Sequence, residues 1–170
     1  ERATQAQAAK QWIVAITQYQ VWLRQHPHDC AAWLNLSHCA LAVADLHTAQ
    51  HACESAMRQA QTSTLRAEAA YAAGRLARQR HQLSTAQTAF EQALTWQPAF
   101  VEAWIGLANL ACERKDYPAA LDALENALHH QPDSASAWNN LGHVLKQIGE
   151  FTAAIRCYEQ ALHYQPHYPA

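Results

Sequence analysis

The sequence predicts an all-α protein, and three observations carry that prediction. Only four Gly and six Pro interrupt a chain rich in Ala and Gln, which favours helices and leaves few of the turns a sheet needs. Apolar residues recur at helical spacing in blocks separated by short breaks. The same pattern returns about every 34 residues along the chain. Half the residues are hydrophobic and 15% are charged, too apolar for a disordered tail and too often interrupted by Gln, His and Arg for a membrane span. Twelve basic residues against fourteen acidic ones leave a formal charge of -2, so no positive excess favours nucleic acid.

The repeat is visible in individual residues. Ala15, Ala49, Ala86, Ala120 and Ala154 follow one another at 34, 37, 34 and 34 residues. Four positions after each stands Tyr19, Cys53, Phe90, Leu124 or Tyr158. Seven positions after stands Ala56, Ala93, Ala127 or Ala161, with Trp22 as the exception. Pro27, Pro98, Pro132 and Pro166 close their units, and Gln61 replaces Pro in the unit around Ala49. Upstream of the recurrent Ala runs a W-x-x-L-small pattern: Trp33-Leu36-Ser37, Trp104-Leu107-Ala108 and Trp138-Leu141-Gly142, weakened to Ala70-Ala73-Gly74.

Each unit reads as an antiparallel helix pair. Residues 1–29 are expected to be the end of an earlier unit, and Asp29 suits the cap of the helix that follows. The spacing of 37 places three extra residues around Thr62-Ser63-Thr64, which predicts a longer turn or an extended helix start there. Ser84 is expected to cap one later helix, Pro118 suits the first turn of the helix running to Leu128, and Asp133 or Ser134 caps the next. The last unit shows the design most plainly, with helical blocks at 135–148 and 152–164 around Gly149-Glu150-Phe151. Small residues, Gly142 facing Ala154 and Ala108 facing Ala120, are expected to let paired backbones approach, with Trp138, Leu141, Tyr158 and Leu162 filling the surrounding space. Trp33, Trp104 and Trp138 are thereby assigned to packing rather than to base or sugar stacking.

These residues in this register resemble the tetratricopeptide repeat family, over nearly the whole chain. The resemblance implies a solenoid of antiparallel helix pairs stacked in a right-handed superhelix, with repeats at 30–63, 67–100, 101–134 and 135–168 after the partial one at 1–29. It also implies that the first helix of each repeat lines a concave groove. The groove candidates are then Leu34, Asn35 and His38; Glu68, Tyr71, Arg75 and Arg78; Glu102, Ile105, Asn109 and Glu113; and Asn139, Asn140, His143 and Lys146. Such a mixture of apolar, amide and cationic side chains suits an extended peptide or a helix of a partner protein. The Lys and Asn set by which some members clamp the carboxylate ends of heat-shock chaperones is absent in either frame. An Asn ladder similar to that of protein O-linked N-acetylglucosamine transferases is kept at Asn35 and Asn140 but broken at Ala72 and Gly106.

The expected function is therefore a non-catalytic protein-interaction scaffold. The alternatives are a substrate-docking module of a larger enzyme, such as a protein glycosyltransferase, and a self-assembling array. No catalytic triad order, phosphate loop or carboxylate pair maps onto neighbouring positions, and no cofactor is expected. His47 and His51, with Cys53 or Glu54, and His163 with His167 have the four-residue spacing of metal ligands on a helix, yet two ligands do not make a site, and no metal is expected. His26, His129 and His130 lie near helix C-termini, where the dipole favours them. Cys30, Cys39, Cys53, Cys112 and Cys157, odd in number and without a CxxC pair, point to buried thiols in a reducing, cytoplasmic setting. The opening ERATQAQAAK lacks an initiator Met and a signal-peptide core, so the chain reads as an excised or processed piece. After Pro166 only four residues remain, and the apolar face with Ile155, Tyr158 and Leu162 is expected to meet further sequence or a neighbouring copy.

Overall fold

Helical hairpins follow one another along the chain in the computed structural model, which describes residues 2–8 and 10–166. Ten helices occur among the described residues: α1 (Arg2–Ala8), α2 (Trp12–Gln25), α3 (Cys30–Ala42), α4 (Leu46–Gln59), α5 (Ser63–Gln79), α6 (Leu83–Trp96), α7 (Val101–Glu113), α8 (Tyr117–His130), α9 (Ala135–Gln147) and α10 (Phe151–Tyr164). They form two compact units, one ending at Gln97 and the other starting at Pro98. The first unit holds the pairs α1/α2, α3/α4 and α5/α6. The second holds α7/α8 and α9/α10. Inside each unit, α2 meets α3, α4 meets α5 and α8 meets α9, so every hairpin there is completed by its neighbour.

One turn chemistry recurs within the pairs. Lys10, Ala44, His81, Lys115 and Gly149 all adopt positive φ, between 56° and 88°. The next residue in each case (Gln11, Asp45, Gln82, Asp116, Glu150) sends its N–H to the carbonyl five residues back, at 2.9 Å. This is the bond that closes a Schellman motif. Only Gly149 takes the left-handed conformation without a Cβ penalty.

Helix starts are capped by side chains. Asp29, Asp45, Thr62, Asp116 and Ser134 each accept from the backbone N–H three residues on. Ser134, not Asp133, is thus the cap of α9, and Pro118 sits in the first turn of α8. Ser84 caps nothing: α6 begins two residues earlier than a cap there would give, after Gln82, because the turn at His81 fixes the start in the same register as at Asp45 and Asp116. The inserted residues lengthen α5 to 17 residues, against 13 in α3, α7 and α9.

The small residue of each W-x-x-L-small pattern is a seat for the large one on the paired helix. A Cβ on Gly74 would stand 2.5 Å from the Phe90 ring, and one on Gly142 would stand 2.8 Å from the Tyr158 ring. Where the first position is Ala108 the partner shrinks to Leu124, both buried in one cluster, and where it is Ser37 the partner is the buried Cys53. The ring of Tyr158 is thus the nearest neighbour of Gly142, and Tyr158 is turned inward, away from the exposed face assigned to it. Leu162 does not fill the hairpin; it is exposed.

The three motif tryptophans are half-buried and identically tied. Trp33, Trp104 and Trp138 donate their indole N–H to the carbonyls of Pro27, Pro98 and Pro132 at 2.9, 2.9 and 2.8 Å. The proline that ends one repeat is thus clipped to the first helix of the next. Trp22, at a position held by Ala elsewhere, stays largely outside, stacked on His26 at 3.8 Å and donating to Asp29 Oδ2 at 2.9 Å.

Gly142→Ala is expected to cost about 1–2 kcal/mol by overpacking against Tyr158. In a Tyr158→Leu background the same change should become neutral or stabilising, because Ala beside Leu reproduces the pair at Ala108 and Leu124 and gains about 1 kcal/mol of helix propensity. Urea denaturation of the four proteins checks it; equal cost in both backgrounds contradicts the fit.

Candidate functional site

The side chains assigned to the groove all lie on the first helix of a repeat. Leu34, Asn35 and His38 are on α3; Glu68, Tyr71, Arg75 and Arg78 on α5; Glu102, Ile105, Asn109 and Glu113 on α7; and Asn139, Asn140, His143 and Lys146 on α9. Most fall at intervals of three and four, the spacing that gathers residues on one helix face. They form one set in each compact unit, α3 with α5 and α7 with α9.

In the first unit the central contact is polar. Arg75 donates from Nη1 to His38 Nδ1 at 2.9 Å, and its guanidinium lies 5.9 Å from the centre of the Tyr71 ring. Accepting at Nδ1 requires a neutral imidazole with its proton on Nε2. Burial, and after it the charge of Arg75, holds the His38 pKa below its ordinary 6.5. The Trp12 ring meets His38 edge-on at 5.7 Å. Trp12 was not among the sequence candidates; it stands at the start of the second helix of its pair, where Leu46, Leu83, Tyr117 and Phe151 also stand, and nothing in its own pattern points to His38. Asn35 lines a cavity of about 470 Å³ together with Tyr19, Trp22 and Asp29.

In the second unit the amides meet. Asn140 Nδ2 donates to Asn109 Oδ1 at 3.5 Å, a long bond that holds the two side chains side by side. His143 and Lys146 are exposed, and Asn139 is half-buried. The apolar steps are less free than their positions imply. Leu34 and Ile105 pack against core clusters, and Tyr71 leans on Phe90 at 5.7 Å. Each offers an edge rather than a whole side chain.

The metal-ligand spacings assemble nothing among the described residues: no group of three or more His, Cys, Asp or Glu is placed to hold an ion. His51, on α4, instead packs edge-on against Trp33 at 5.2 Å. His167 lies outside the described residues. All five cysteines are free; all but Cys112 are buried, and burial pushes the Cys53 thiol up to about 11. No helix among the described residues is long and apolar enough to cross a membrane.

Sequence profiles of the tetratricopeptide repeat match residues 71–128 and 107–170, and the chain belongs to that family. Solved structures share its fold over nearly its whole length. MamA is 18% identical with a TM-score of 0.71, covering 98% of this chain and 95% of its own. TTC0263 of Thermus thermophilus, a thermophilic TPR protein, is 19% identical with a TM-score of 0.78, covering 97% of this chain and 89% of its own. YrrB, a TPR protein with an unusual peptide-binding site, is 17% identical with a TM-score of 0.61, covering 98% of this chain and 84% of its own. No curated protein matches the sequence.

A histidine whose pKa is lower in the fold than in the unfolded chain favours folding in its neutral form. Its contribution is complete above the ordinary value and is lost as pH falls through the lower folded value. Melting temperatures measured from pH 8 to pH 5 should therefore drop more steeply for the unmodified chain than for His38→Gln, whose amide oxygen can still accept from Arg75. Parallel profiles would contradict the assignment.

Proposed function

We propose that the chain is a non-catalytic scaffold that binds an extended segment of a partner protein along the first helices of its repeats. The observation that carries this is the ordered polar set at the expected positions. Arg75 is tethered by His38 in one unit and Asn109 is aligned with Asn140 in the other. Side chains ordered before a ligand arrives lose less freedom on binding. An Asn pair that offers both donors and acceptors fits a peptide backbone whatever its side chains. The peptide-binding site of YrrB, and the family's general use as a protein-interaction module, support the same reading. Five free thiols support a reducing, cytoplasmic setting.

The test uses a peptide selected from a random display library on the unmodified chain. Arg75→Ala/Asn109→Ala/Asn140→Ala is expected to weaken its binding at least tenfold by fluorescence polarisation while the helical circular dichroism is kept. Full binding by the folded triple variant would remove these residues from the site.

Self-association is a second reading, favoured by one observation. Phe151, Ile155 and Leu162 are 65%, 57% and 51% exposed on α10, whereas Tyr117, Leu121 and Leu128 at the same places of α8 are covered by α9. Sedimentation velocity should show a concentration-dependent dimer that Ile155→Lys abolishes. A monomer at all concentrations would exclude it.

A further inference from the structure

The crevice between neighbouring second helices is filled in two places and open in a third. Around α3 it is closed by Ile16, Leu23 and Leu36, and around α9 by Leu121, Leu128 and Leu141. The same three positions around α5 are Gln50, Met57 and Ala73. There a cavity of about 580 Å³ opens between α4, α5 and α6. Its existence follows from the weakened motif: the Leu that plugs the other crevices has become Ala73, and the residue facing it is a flexible Met. The space is on the side of α5 away from Tyr71 and Arg75, since Ala73, Leu76 and Ala77 follow one helical stripe and Glu68, Tyr71, Arg75 and Arg78 another.

Its lining is divided. Cys53, Met57, Ala73 and Leu76 supply an apolar floor, and Arg58, Arg80 and Glu54 supply the charges at the rim. Glu54 Oε1 already accepts from Gln50 Nε2 at 2.9 Å. Arg80 is held by its Nη2, which donates to the Leu46 carbonyl at 3.2 Å and to Gln50 Oε1 at 2.8 Å, and Arg58 Nη2 donates to Ser55 Oγ at 3.0 Å. Neither arginine has a carboxylate partner among these contacts, and two guanidiniums against one carboxylate leave the rim positive. A guanidinium offers five N–H donors, so each keeps donors beyond these bonds. The volume falls within the range of small-ligand sites.

We propose that this cavity is a binding site for a small amphiphilic carboxylate, its apolar body over Ala73 and Met57 and its head group between Arg58 and Arg80. A carboxylate meets the positive rim in a charge-assisted contact, and an apolar chain takes the space that Leu occupies in the other crevices.

Octanoate is the probe, with octylammonium and acetate as controls for charge and for the apolar body. Titration of the isotope-labelled full chain, followed by amide chemical shifts and calorimetry, should give saturable octanoate binding with shifts centred on residues 53–58 and 73–80. Octylammonium and acetate should each bind at least tenfold more weakly. Ala73→Leu, which restores the motif residue, should keep or raise the melting temperature and weaken octanoate at least tenfold. Arg58→Gln should weaken octanoate and leave octylammonium unchanged. Octanoate that does not saturate, that binds no better than octylammonium, or that binds Ala73→Leu as well as the unmodified chain overturns the proposal. A fall in melting temperature on Ala73→Leu overturns it as well, since the space would then not accept the side chain.

Discussion

The structure rests on a size match between two positions of each helix pair. Where the first helix carries glycine, at Gly74 and Gly142, the second carries the Phe90 or Tyr158 ring, and where it carries Ala108 or Ser37 the partner is Leu124 or Cys53. Protein interiors are packed closely enough that one extra methylene is felt, so each pair is matched as a unit. The match sets how near the two backbones of a pair come.

The links between repeats are of a different kind. Three indole N–H groups bind three proline carbonyls at nearly one distance, and aspartate, threonine and serine caps fix where helices begin. These polar ties are each worth little net, about 1 kcal/mol, but they are directional where hydrophobic contact is not. Hydrophobic area holds the hairpins together, and hydrogen bonds fix their register. Departures from the pattern then have local consequences. Trp22 in place of Ala stays outside, and Ala73 in place of Leu leaves a cavity.

The polar side chains on the first helices gain their chemistry from this arrangement. The His38 pKa is lowered because the ring is partly buried and lies beside a cation on α5, 37 residues away in the chain. Arg75 in turn is oriented by an imidazole and by Tyr71, itself braced by Phe90 in the seat that Gly74 provides. The packing at the centre of the hairpin and the polar set on its surface are thus parts of one chain of contacts.

The repeat, its helix pairs, the longer α5 after the insertion and the special place of Trp22 were all legible in the sequence, because each depends on spacing along the chain and on the size of single residues. Which residue caps α6 was not, since the left-handed turn at His81 sets that start and three of the non-glycine residues in such turns, Ala44, His81 and Lys115, carry no sequence mark of it. The candidate site divides in the same way. Its positions on the first helices follow from the period, but the pairing of Arg75 with His38, the partial burial of Leu34, Tyr71 and Ile105, and the open crevice over Ala73 were decided only in three dimensions. Periodicity tells which residues share a face of one helix; what a side chain meets across a 31- to 38-residue separation depends on how closely the helices approach, and that is a property of the packed hairpins together.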